Sequence, residues 1–157
     1  MNIEVNIKQQ QLKLYKEEQI LKTYSISSAK NGIGEQSGSE CTPRGKHIIR
    51  AKIGFDCPEN TVFVGRRSTG EIFSENLRES APNRDWILTR IMWLSGCETG
   101  KNRLKDVDTM RRYIYIHGCP NKDKMGIPNS HGCIKMRNAD IKELFDLVKP
   151  YTQVTIY

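Results

Sequence analysis

Apolar and polar residues alternate from the start of the chain. Ile3, Val5 and Ile7 are separated by polar residues, and so are Leu12 and Leu14. A period of two places one face of an extended strand on a core. Two strands are therefore predicted, with Gln9-Gln10 as the turn between them. Ile20 to Ile26 forms a third strand candidate. Asn31 to Gly45 is polar and holds four glycines and one proline, which marks a loop. Gly45 to Gly54 and Thr61 to Val64 return to an extended pattern. Ser74 to Arg84 is polar and irregular, and no element is predicted there. In Trp86 to Leu94, the residues Ile87, Thr89, Ile91 and Trp93 favour a strand over a helix. Ser95 to Thr109 reads as a charged loop. Arg112 to Ile116 is short, aromatic and β-branched, a strand ending at His117. Gly118 to Asn129, with two prolines and two glycines, is a loop.

One segment changes period. Ile141, Leu144, Phe145 and Val148 fall at i, i+3, i+4 and i+7, which is one face of a helix. The spacing predicts a helix over about 138–149, capped by Asn138 and ended by Pro150. Thr152 to Tyr157 is a final strand. The pattern predicts a mainly β protein with one packed amphipathic helix, either a sandwich or a partly open barrel. A length of 157 residues suits one domain over 1–157.

Composition narrows the function. The net charge is +7, but lysine and arginine are interleaved with aspartate and glutamate. No basic run with interleaved aromatics is present, so nucleic acid is not an expected partner. No stretch is long and apolar enough for membrane insertion. The five cysteines are odd in number and not spaced as a disulfide scaffold, which fits a reducing compartment. Met1 leads at once into a strand, without the features of a signal peptide. The expectation is a cytoplasmic protein, or a periplasmic one if a leader has been removed.

The chemistry concentrates at Ser130-His131-Gly132-Cys133. This segment sets a thiol beside a glycine, and His117 lies sixteen positions earlier at the end of an apolar run. A nucleophilic cysteine needs a base, a turn that presents sulfur to a carbonyl, and N–H groups aimed at the developing oxyanion. Cys133 can supply the nucleophile and His117 the base, since imidazole exchanges protons near neutral pH. His131 is a rival base. His47 reads as a plain surface or strand histidine.

Several segments together resemble the catalytic domain of L,D-transpeptidases (the YkuD-like family). They are Tyr115-Ile116-His117-Gly118, Gly126-Ile127-Pro128, Ser130 to Met136 and Arg137-Asn138-Ala139-Asp140. Tyr24-Ser25-Ile26-Ser27 followed by Thr42-Pro43-Arg44-Gly45 resembles the start of that domain. The resemblance implies two mixed β-sheets with a helix against one of them, and no cofactor. It implies Cys133 as nucleophile, His117 as base and a carbonyl such as that of Gly118 holding the imidazole. Gly132 and Cys133, helped by His131, would form the oxyanion hole. Ser130, His131, Lys135 and Trp93 would meet the substrate, although Trp93 and Lys135 also fit as a core residue and an exposed lysine. Lys135 stands where most relatives carry arginine, and Cys119 where they carry threonine or another small residue.

The implied substrate is the bond between meso-diaminopimelate and D-alanine in peptidoglycan tetrapeptide stems. Water as acceptor makes an L,D-carboxypeptidase of muropeptide recycling. An amine makes an L,D-transpeptidase that joins two diaminopimelates. Carbapenem-type β-lactams would acylate Cys133. Two non-enzymatic readings stand beside these. His117, Cys119, His131 and Cys133 form two H-x-C pairs that could ligate zinc, and the chain could be an inactive wall-binding relative. The loops 74–84 and 95–109 could act as lids.

Overall fold

The computed structural model describes residues 1–157. The predicted first hairpin forms between β1 (Asn2–Asn6) and β2 (Gln11–Lys16). Ile3 pairs with Leu14 and Val5 with Leu12, all fully buried. The turn between them is held by Asn6, whose side-chain oxygen accepts from Gln9 N–H at 2.9 Å. The chain continues through β3 (Gln19–Ser27), β4 (Gly45–Ile53), β5 (Thr61–Val64), β6 (Arg67–Ile72) and the short helix α1 (Glu75–Ser80). Then follow β7 (Ile87–Gly96), β8 (Tyr115–Gly118), β9 (Ile134–Met136), α2 (Asn138–Leu147) and β10 (Gln153–Ile156).

The fold is mainly β, as expected, and mixed: β1 runs parallel to β10 and β8 parallel to β9. The strands are hydrogen-bonded in the order β4-β10-β1-β2-β3-β9-β8-β7, and a β4–β7 pairing closes the ring. β7 makes this possible by its length. It pairs with β5 through Ile87 and Leu88 and with β4 through Ile91 to Gly96. Between these stretches lies Thr89, at φ 73°, where the register with β8 also shifts. A β-branched residue in the left-handed region is strained. Here the cost is offset by buried hydrogen bonds. Thr89 donates to Asn138 at 2.6 Å and accepts from Asn60 N–H at 3.0 Å.

The helix α2 packs Ile141, Leu144 and Phe145 into the main core, with Val148 just beyond its end. Burying each such side chain stabilises the fold by about 1.5–3 kcal/mol. Its ends differ from expectation. The cap position is Arg137, without a side-chain cap bond, and the helix stops at Leu147, before Pro150. Asn138 is instead a buried tie. Besides accepting from Thr89, it donates to Asn60 and Asn121 at 3.0 and 3.1 Å.

Three elements had no expectation. The exposed strand β6 and the six-residue helix α1 bury too little apolar surface to leave a pattern. Ser74 caps α1 through Leu77 N–H at 3.1 Å. Arg78 ties α1 to Asp123 at 2.8 Å, so 74–84 is an anchored segment. The 95–109 segment is anchored too. Asn102 bonds Glu98 N–H and the carbonyls of Arg44 and Lys46, and Asp108 accepts from Leu104 and Arg111 N–H. The third element, β9, begins one residue after Cys133.

Candidate active site

The pairing of β8 with β9 builds the site. Ile116 lies opposite Ile134 and His117 opposite Lys135. Side chains alternate across a strand. Ile116, Ile134 and Met136 therefore enter the main core. Tyr115, His117, Cys133 and Lys135 take the other face. There they line a cavity of about 520 Å³, together with Gly65, Arg66, Asp85, Ile87, Arg112, Tyr113, Ile114, Ser130 and His131.

The loop that carries Cys133 is pinned from three sides. Ser28 O accepts the N–H groups of Asn129 and Ser130, both at 2.9 Å. Ser28 is itself fixed by buried Gln10, which lies in the first hairpin turn. Thr42 accepts from Ala29 N–H at 3.0 Å and donates to Gly132 O at 2.9 Å. Within the loop, the buried Ser130 hydroxyl donates to Cys133 O and accepts from Gly132 N–H at 3.2 Å. Gly132 sits at φ 129° with Cys41 O 3.3 Å from where a Cβ would stand, so glycine is required there.

This geometry alters the expected oxyanion hole. The Gly132 N–H is already given to Ser130. The N–H groups of Cys133 and His131 have no backbone acceptor. Those two N–H groups remain as the candidate oxyanion donors. Ser130 accordingly shapes the turn as well as lining the cavity.

The Cys133 sulfur rests against β8. It accepts from Tyr115 N–H at 3.3 Å and approaches Tyr113 O at 3.4 Å. Burial pushes its thiol up to about 12, against the pull of the Tyr115 N–H and the positive Arg112 and Lys135. His117 is buried, and its Nδ1 stands 2.6 Å from Gly118 O. A carbonyl only accepts, so Nδ1 carries the proton and Nε2 keeps its lone pair. Burial lowers the His117 pKa below its ordinary 6.5, opposed by the charge of Asp85 and by the Gly118 carbonyl. Burial thus acts on both groups in the same sense, towards the neutral thiol and the neutral imidazole. Gly118 has no room for a side chain: a Cβ would meet Asn138 Oδ1 at 2.5 Å and Leu88 O at 2.6 Å.

The remaining expected residues divide. His131 is exposed at the cavity wall, and of the two candidate bases only His117 has a ring nitrogen fixed on a carbonyl. Lys135 is no exposed lysine. It reaches Asp123 and Asn129 O, both at 3.4 Å. Trp93 does not line the cavity. It stands behind it, packed on Tyr113 and Tyr115, with its ring N–H on Met110 O. Cys119 is buried and donates to Met136 O, and no three His, Cys, Asp or Glu side chains converge as a metal site. The zinc reading of the two H-x-C pairs therefore has no geometry behind it. His47 is buried rather than on the surface, between Gly45 O and the Thr109 hydroxyl. Sequence reasoning missed Arg66, Asp85 and Arg112. Arg66 and Asp85 come from a turn and a loop whose residues carry no period, and Arg112, expected to open a strand, lies in the turn before β8, which begins only at Tyr115.

Residues 2–156 match the family model of the L,D-transpeptidase catalytic domain. The chain belongs to the L,D-transpeptidase catalytic-domain family. Solved L,D-transpeptidases share the fold. A mutant of the Enterococcus faecium L,D-transpeptidase has 20% identity and a TM-score of 0.60, over 99% of this chain and 49% of that one. The NMR structure of the catalytic domain of E. faecium L,D-transpeptidase, acylated by ertapenem, has 19% identity and a TM-score of 0.58, over 99% and 95%. An L,D-transpeptidase from Xylanimonas cellulosilytica has 18% identity and a TM-score of 0.56, over 99% and 59%. This L,D-transpeptidase domain thus spans about half the length of several solved relatives it matches. No curated protein sequence matches it.

Proposed function

We propose that this L,D-transpeptidase domain cleaves the bond between diaminopimelate and D-alanine in peptidoglycan tetrapeptide stems, with water as acceptor. The observation that carries the reading is a nucleophile and a base on one face of β8 and β9, in a cavity that also holds Arg66, Arg112 and Lys135. A stem peptide bears several carboxylates, and cations around the thiol suit it.

The steps follow from the contacts. As Cys133 Sγ attacks the diaminopimelate carbonyl, its proton passes to His117 Nε2. The new oxyanion receives the N–H groups of Cys133 and His131, in a site where such donors are worth several kcal/mol. The C–N bond then breaks, and His117 returns the proton to the amine of D-alanine. A thioester remains. Water adds to it with His117 as base, which releases the tripeptide and restores the thiol.

The cavity of about 520 Å³ can take the peptide end of one stem, and water as acceptor needs no second peptide beside it. A free muropeptide seated by its peptide end is then the substrate, as for a recycling carboxypeptidase. Carbapenem-type β-lactams should acylate the same sulfur, as ertapenem does the E. faecium catalytic domain. Mass spectrometry of a purified disaccharide-tetrapeptide incubated with the native domain and with Cys133→Ala tests the reading. Loss of one alanine with the native domain alone supports it. A dimer joined through two diaminopimelates makes the enzyme a cross-linking transpeptidase. No product from either protein overturns the substrate.

A further inference from the structure

Three cations face the cavity, and two of them are already occupied by the protein. Arg112 gives its guanidinium to Gly34 O, Glu35 O, Ser39 Oγ and Cys41 O. Lys135 is held by Asp123 and Asn129 O. Arg66 differs. Its guanidinium makes one hydrogen bond, from Nη1 to the Tyr115 hydroxyl at 3.0 Å, and no salt bridge. A guanidinium has five N–H donors, so most of its donors remain open.

Arg66 is nonetheless fixed in place. Its guanidinium lies over the Trp93 ring at 4.4 Å and the Tyr113 ring at 4.9 Å. Its backbone is fixed as well. Gly65 and Arg66, at φ 55° and 64°, form the two-residue turn between β5 and β6. Two consecutive positive φ values describe the tight turn that matches the twist of a hairpin. A stacked guanidinium on a tight turn loses little freedom when it binds an anion. One residue touches both groups: Tyr115 gives its N–H to the Cys133 sulfur and accepts Arg66 on its hydroxyl.

We propose that Arg66 is the carboxylate anchor of this site, binding the free C-terminal carboxylate of the stem peptide beside the bond that Cys133 attacks. This rests on the function proposed above and deepens it. An enzyme that removes one terminal residue must recognise the chain end, and planar, paired donors match a carboxylate better than a point charge does. Arg66 is then what makes the domain prefer a free terminal D-alanine to a capped one. Lys135 and Arg112, spent on protein acceptors, organise the walls.

Two measurements test this, and they fail independently. The first needs no substrate. Native domain and Arg66→Gln are alkylated with iodoacetate, an anion, and with iodoacetamide, its neutral analogue. Modification is followed at Cys133 by peptide mass spectrometry, since Cys97 is exposed and Cys41 and Cys57 are half-buried like Cys133. Loss of a charge-assisted anchor should lower the iodoacetate-to-iodoacetamide rate ratio by about tenfold. Arg66→Lys should retain part of it. An unchanged ratio in Arg66→Gln overturns the anchor. The second compares kcat/KM for a tetrapeptide stem with a free terminal carboxylate and one with a terminal amide. The native preference for the free acid should fall by at least about tenfold in Arg66→Gln. An equal preference in both proteins overturns the assignment to the terminal carboxylate. If neither stem is cleaved but the alkylation ratio still depends on Arg66, the stem substrate fails and the anion site stands.

Discussion

The backbone N–H of Tyr115 points at the sulfur of Cys133 from 3.3 Å. One strand therefore supports the candidate nucleophile and, two residues later, supplies the candidate base His117. Each depends on the strand's position, so changes that move β8 should reach both.

Cys133→Ala should abolish turnover and thioester formation outright. His117→Gln should lower kcat by about 10²–10⁴-fold, the usual weight of a general base. Steady-state kinetics with intact-mass detection of the acyl-enzyme checks both. Retained turnover in Cys133→Ala would sink the nucleophile assignment.

The thiol and imidazole should be neutral together at pH 7. Burial disfavours a charge, so it raises the acid Cys133, to about 12, and lowers His117 below 6.5. Iodoacetamide alkylation of Cys133 should keep climbing from pH 7 to pH 10 without levelling near neutrality. An acid limb in kcat/KM, from protonation of His117, should have its midpoint below pH 6.5. A plateau of alkylation already reached by pH 7 would instead reveal a thiolate–imidazolium pair.

Thr42 should matter for catalysis without touching the reacting atoms. Its hydroxyl accepts from Ala29 and donates to Gly132 O, so it fixes the turn that aims the Cys133 N–H. Thr42→Val keeps the shape and leaves a buried N–H and a carbonyl unpaired. A loss of about 1–3 kcal/mol in stability is expected, with a fall in kcat larger than any change in KM. Urea unfolding and kinetics on the same preparation separate the two effects.

His47 should set part of the acid sensitivity of the fold. It is buried between Gly45 O and Thr109, and burial lowers its pKa to about 4. The unfolded chain, with its histidine near 6.5, binds the proton first. Stability is therefore full above pH 6.5 and declines as pH falls from there towards 4, by up to about 3 kcal/mol. Urea titrations across that range should show the slope in the native protein and a shallower one in His47→Gln.

The strands that bury one clean face were legible in the sequence. Ile3, Val5, Leu12 and Leu14 show why: alternation has one cause when one side meets a core. The helix face of Ile141, Leu144 and Phe145 was legible for the same reason. The strand β9 was not, because three residues squeezed between a turn and a helix are too few for a period. Asn138 looked like a cap from its place before an apolar run, but Thr89 and Asn60 claimed its side chain. At the site, Cys133, His117 and the Gly118 carbonyl follow from local order along the chain. Arg66 and Arg112 do not, since only the folded ring of strands brings the β5–β6 turn and the segment before β8 to the same cavity.

The strand pair β8–β9 writes two texts on one ribbon. Even-numbered Ile116, Ile134 and Met136 are hydrophobic glue, and odd-numbered Tyr115, His117 and Lys135, with Cys133 just ahead of β9, face the cavity. Sliding either strand by one residue would exchange the two sets. A frame error here would push a histidine and a lysine into the core and turn isoleucines to the cavity. This protein therefore has no cheap way to be folded with its site in the wrong register: proofreading of the active site is done by the same apolar contacts that hold the molecule shut.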